Sequence, residues 1–178
     1  LGIWDQTLET GAPDPVNGFQ ALYGTQYSRE EIDQALAAPD PLALVPSADE
    51  NGHGTFLASV AAGGEDPDQD FTGAAPRASI AMVKLKPAKA YLRDFYLIRE
   101  GADAYQENDI MMGVAYLLHL ARRFSMPLVI CLGLGTNQGS HVGKSPLGLY
   151  LDDINIYAGT AVITAAGNET GYGHHYRA

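Results

Sequence analysis

Along this chain, short apolar runs alternate with stretches in which apolar residues return every three or four positions, as when strands take turns with amphipathic helices. Residues 1–4 are the first such run. The strand they predict closes near Asp5, because the Gly- and Pro-rich stretch from Gly11 to Gly18 can only be loop. Ser28-Arg-Glu-Glu31 has the form of a capping box, so a short helix is expected over about 29–37, closed by Pro39. From His53 to Ala62, the residues Leu57, Val60 and Ala61 fall at helical spacing and Gly63-Gly64 is placed as a stop, which puts His53 in the first turn. Residues 78–85 alternate as a strand, and Ile110, Met111, Val114, Leu117, Leu118 and Ala121 share one face of a long helix. Two further runs, 128–132 and 161–164, suit strands of a parallel sheet covered on both sides. The expectation is an α/β fold, a parallel sheet with helices on both faces.

Composition leaves that picture standing and narrows the partners. At 178 residues the chain is one domain or a piece of one. A formal net charge of −10 argues against nucleic acid and against anionic membrane surfaces, and is read as a solubility feature. The longest apolar runs, such as 127–132, fall far short of the roughly 20 residues of a membrane-spanning helix. Cys131 stands alone, which excludes a disulfide or a cysteine-rich zinc site within the chain, and it is expected in the core. The chain opens on Leu1 with neither an initiator Met nor a signal peptide, so an upstream segment is expected to have been removed or left out.

Three segments place a polar group at the end of a regular element, where a parallel α/β sheet collects its active site. In Gly2-Ile-Trp-Asp5 a carboxylate closes a strand and could hold an imidazole in one tautomer; it could equally be a turn residue. In Asn51-Gly-His53-Gly-Thr a histidine begins a helix between glycines, where small neighbours leave its ring accessible as a general base; a structural histidine is the other reading. In Ala161-Val-Ile-Thr-Ala-Ala-Gly-Asn168 a strand runs into an amide that could donate to a developing oxyanion, or simply turn the chain after Gly167.

Taken together, and in this order, the three segments resemble the subtilisin-like serine peptidases, the subtilases. Gly73-Ala-Ala-Pro followed by a strand ending at Lys84 adds a fourth match, so the resemblance spans nearly the whole chain. Ile3-Trp-Asp-Gln-Thr7, Ser28 to Ile32, Asn51 to Thr55, Gly135 to His141 and Gly173-His-His-Tyr176 look like the branch found in clostridia and related gut bacteria, which includes proteases of spore germination. The resemblance implies a Ser-His-Asp endopeptidase: Asp5 orienting His53, His53 serving the nucleophilic Ser as base and then acid, and Asn168 donating to the oxyanion. It implies that Leu134 and Gly135 line the cleft as a strand edge for the substrate backbone. It also implies a secreted or spore-envelope setting and no cofactor in the chemistry.

Several features depart from that pattern. No Gly-Thr-Ser-x-Ala segment occurs, and the chain ends ten residues after Asn168. Residues 1–178 are therefore expected to be the N-terminal part of a single catalytic domain, inactive alone, with the Ser beyond them. Its expected partners are a peptide or protein substrate, a propeptide and the missing C-terminal part of the domain. The alternative is a pseudopeptidase acting as a binding or signalling module. The 47 residues between Asp5 and His53 exceed the compact members, which suggests an insertion over about 11–48. Cys131 and Gly133 stand where many subtilases have Asn and Ser. Calcium could use the acidic loop at Asp66, Asp68 and Asp70, although a solvated acidic turn is the favoured reading. Gly143-Lys144-Ser145 lacks the upstream Gly of a phosphate-binding loop, and His141, His174 and His175 lack metal-ligand spacing.

Overall fold

The structure, a computed structural model, describes residues 1–9, 18–136, 139–168 and 171. Strand β1 (Gly2–Asp5) lies between β2 (Thr25–Ser28), to which it is antiparallel, and β3 (Ala81–Lys84), to which it is parallel. A second sheet pairs β4 (Leu128–Leu132) and β5 (Thr160–Thr164) in parallel. Five helices complete the described residues: α1 (Arg29–Leu36), α2 (His53–Ala62), α3 (Ala90–Phe95), α4 (Glu107–Arg123) and α5 (Pro146–Asn155), with a 3-10 turn at Pro41–Ala43. None of them is long and apolar enough to cross a membrane.

The predicted strands and the helices at 29–37, 53–62 and 110–121 all form, with α4 extended at both ends by polar turns. Ser28 and Glu31 make the capping box of α1, the hydroxyl accepting from the Glu31 amide at 3.3 Å and the carboxylate from the Ser28 amide at 2.7 Å. β2, α3 and α5 were not foreseen. β2 is Thr-Gln-Tyr-Ser, and its buried Gln26 reaches the Phe19 carbonyl with its amide (3.0 Å), a tertiary satisfaction that a polar sequence does not announce. α5 grows out of the segment weighed as a phosphate loop: Ser145 caps it by accepting from the Gly148 amide at 3.1 Å, and Pro146 opens it.

α4 carries two buried stripes. Tyr116 and Leu120 join Trp4 and Ala21 against β1, while Val114 and Leu118 join Ile130 and Ile154 against β4 and α5. Trp4 is fully buried among the rings of Phe19, Tyr23 and Tyr116 and donates its indole N–H to the Tyr23 carbonyl at 3.0 Å. A third cluster, Tyr27, Ala35 and Val45, holds α1 to β2.

Two expectations are corrected. The β1 sheet is mixed rather than wholly parallel, because β2 returns antiparallel. Cys131 is exposed, not core. In β4, Ile130 points into the cluster beneath α4, so the alternate residues Val129 (70% exposed) and Cys131 point the other way, onto a face that the described residues leave open together with Ile163 of β5. An apolar strand has no period from which to read which face is covered.

Gly63 and Gly73 stop α2 by close approach. The Gly73, Ala74 and Ala75 amides bond the carbonyls of Gly63, Val60 and Ala61, and a Cβ on Gly73 would lie 2.5 Å from the Gly63 nitrogen.

Leu120→Ala removes a side chain shared by α4 and β1 and is expected to cost about 2–5 kcal/mol, read from denaturant unfolding followed by the fluorescence of Trp4, the chain's one tryptophan. An unchanged unfolding midpoint would contradict the role given to α4.

Candidate active site

Asp5 closes β1 with its side chain fully buried. A lone buried carboxylate is costly, and here it is fully engaged. Oδ1 accepts from the Thr7 amide (2.8 Å) and the Thr7 hydroxyl (2.5 Å), Oδ2 accepts from the Ser47 hydroxyl (2.7 Å), and Lys84 Nζ stands 3.7 Å away. Lys84 also donates to the Ala48 carbonyl at 2.7 Å. The next residue, Gln6, is locked by donating to the backbone carbonyl of buried Asp109 (2.9 Å) and accepting from the Lys86 amide (3.3 Å). The Asp109 carboxylate in turn accepts from Tyr23 (2.7 Å) and pairs with Lys86 (3.2 Å). Burial, then this carboxylate, pushes the Tyr23 phenol well above its usual range.

His53 begins α2. Its N-cap, Gly52, takes a left-handed φ of 83° and brings no side chain to the helix start. Asp49 caps it from outside: one carboxylate oxygen accepts from the Gly52 (2.8 Å) and Asn51 (3.2 Å) amides, the other from the amide and hydroxyl of Thr55, both at 2.8 Å. The Thr55 bonds foremost hold the Asp49 carboxyl down to about 2. Because its ordinary value is 3.8, this support is complete above that pH and is lost as the pH falls through about 2.

The His53 ring places Nε2 2.9 Å from the Gly133 carbonyl, just past the end of β4. A carbonyl only accepts, so Nε2 is the donor. A neutral ring in that tautomer has no Nδ1 proton to offer a carboxylate. Among the described residues no hydrogen bond or ion pair joins His53 to Asp5. The two sit on neighbouring segments, Ser47 holding one and Asp49 the helix that bears the other.

Leu134, half-buried, and Gly135, exposed, continue from Gly133. Asn168 is exposed, four residues past the end of β5; the Ala165 amide donates to the Leu132 carbonyl at 3.3 Å, so this exit and that of β4 leave the sheet at the same edge. The structure therefore brings His53, Gly133, the Leu134–Gly135 segment and the Asn168 segment to the C-terminal edge of β4 and β5.

At the acidic loop, Asp66 accepts from the Asp68 and Gln69 amides, and among the described residues no group of three or more His, Cys, Asp or Glu side chains is arranged to hold a metal ion. His174 and His175 lie outside the described residues, as do residues 11–17 of the expected insertion. The sequence named Lys84 only as a strand end and did not point to Ser47 or Asp49. A glycine N-cap in Asn51-Gly52-His53, which brings no side chain, was the one local hint that another residue could cap this helix.

The subtilase family profile matches residues 24–177, and the chain belongs to that family. Among solved structures it is similar to the CspB protease of Clostridium perfringens, with 33% identity and a TM-score of 0.70 over 82% of this chain. The chain spans 29% of the length of that protein. No curated protein matches it.

A side chain at Gly133 would run into Leu57, so Gly133→Ala is expected to cost about 1–3 kcal/mol and lower the thermal midpoint, with part of the loss recovered when Leu57→Ala is added. Strictly additive effects of the two changes would show that they do not meet.

Proposed function

We propose that this chain provides the Asp, the His and the oxyanion donor of a serine endopeptidase, whose nucleophilic Ser comes from polypeptide outside it. The observation that carries this reading is the His53 ring at the C-terminal edge of β4, against Gly133 and one strand from the segment that bears Asn168. A peptide laid along Leu134 and Gly135 would present its carbonyl between these groups. His53 takes the Ser proton as the hydroxyl attacks and returns it to the leaving amine, Asp5 stabilises the imidazolium, and the Asn168 amide donates to the tetrahedral oxyanion. Membership of the subtilase family and the likeness to CspB protease support the class of chemistry.

In this reading the open apolar face of β4 and β5, with Val129, Cys131 and Ile163, suits the remainder of such a domain. Turnover also requires the ring to release Gly133 and turn its Nδ1–H to Asp5, with Ser47 yielding Oδ2.

A second reading, a pseudopeptidase serving as a binding module, is favoured by one observation: the Asp5 carboxylate is already satisfied by Thr7, Ser47 and Lys84. The two separate in a protein that joins this chain to its Ser-bearing portion. A fluorophosphonate should label the Ser, and His53→Ala should abolish labelling. Asp5→Asn should lower kcat by about 10⁴ and Asn168→Ala by about 10²–10³. Labelling that survives His53→Ala sinks the role of His53, and a wild type that never labels favours the binding module.

A further inference from the structure

We infer that Asp49 is a positioning residue for His53, the anchor that holds the first turn of α2 where the imidazole meets Gly133. This concerns the placement of the ring; its consequence for rate rests on the peptidase reading.

The argument begins with what α2 lacks. None of its residues is fully buried: Phe56 and Val60 lie exposed along it, and only half-buried Leu57, against Gly133, reaches toward the β4 edge. Its C-terminal end is held by backbone bonds to Gly73, Ala74 and Ala75. Among the described residues its N-terminal end has no such backbone partner, Gly52 offers no capping side chain, and Asn51 Oδ1 accepts only the His53 amide, at 3.3 Å. Asp49 takes up that task with four bonds, two of them to Thr55 inside the helix.

Asp49 is itself the end of a strap. The Ser47 hydroxyl bonds Asp5, the Ala48 carbonyl accepts from Lys84, and the Asp49 carboxylate binds the helix start, so three successive residues connect the end of β1 and the end of β3 to the turn that carries His53. Release of the last link leaves Asp5 in place and frees the ring. The hydrogen bonds that hold the Asp49 carboxyl down to about 2 keep the strap from loosening near neutrality.

The test compares the wild-type chain with Asp49→Ala and Asp49→Asn by NMR, reading the Overhauser contact between the His53 ring and Gly133 and the amide exchange of Gly52 and Thr55. Asp49→Ala should lose the contact and expose both amides, while signals of Leu120 and Ile130 stay in place. Asp49→Asn keeps one carbonyl oxygen as acceptor and should fall between, which covers the case of an alanine variant that does not fold. A ring contact of wild-type strength in a folded variant overturns the inference, because loss of stability alone would not move it.

In the Ser-bearing protein the ring must swing from Gly133 to Asp5 about this same anchored turn, so Asp49→Asn should lower kcat about tenfold to a hundredfold with KM changed by no more than about twofold. An unchanged kcat also overturns it. A wild type without turnover counts against the peptidase reading, and the NMR comparison then decides on Asp49 by itself.

Discussion

The site is assembled from two separate sheets, and their relation depends on α4. One stripe of that helix, Tyr116 and Leu120, is sealed against Trp4 of β1; the neighbouring stripe, Val114 and Leu118, is sealed against Ile130 of β4. Residues four apart on a helix share a face while residues two apart point to different sides, so one helix can fill both cores at once. Asp5 at the end of β1 and Gly133 past the end of β4 keep their separation only while both stripes stay packed. Interiors packed this densely transmit shifts rather than absorb them.

Burial of the Asp5 carboxylate is the second constraint. Removed from water, it must be met by donors from several segments, and Thr7, Ser47 and Lys84 each answer from a different one. Ser47 brings the 47–49 strap to the strand end, and the strap brings Asp49 to the helix of His53. The geometry around the histidine thus follows from satisfying a buried charge two segments away. The same donors leave Asp5 content without His53, so forming an Asp–His pair exchanges one set of hydrogen bonds for another.

The outer face of β4 and β5 and the length of α2 expose an unusual amount of apolar surface: Val129, Cys131, Ile163, Phe56 and Val60.

Much of this was legible in the residues themselves. The strand ending at Asp5, the capping box at Ser28 and Glu31, the helix that starts at His53, the long α4 and the strands β4 and β5 all follow from periodicity and caps, which are local and written in neighbouring residues. The order of Asp5, His53 and Asn168 pointed to the family for the same reason, since motifs are local strings. What neighbouring residues could not tell was which groups meet across the chain. Ser47 on Asp5, Lys84 on Ala48, His53 on Gly133 and the exposure of Cys131 each depend on contacts between segments far apart in sequence. So does the antiparallel return of β2, whose buried Gln26 has a partner only once Phe19 folds over it. Local sequence determined most of the elements and pointed to the family; the tertiary structure alone decided that Asp5 is held by Ser47 and Lys84 and that His53 rests on Gly133, because a buried charge and an exposed ring take the partners that packing brings within reach.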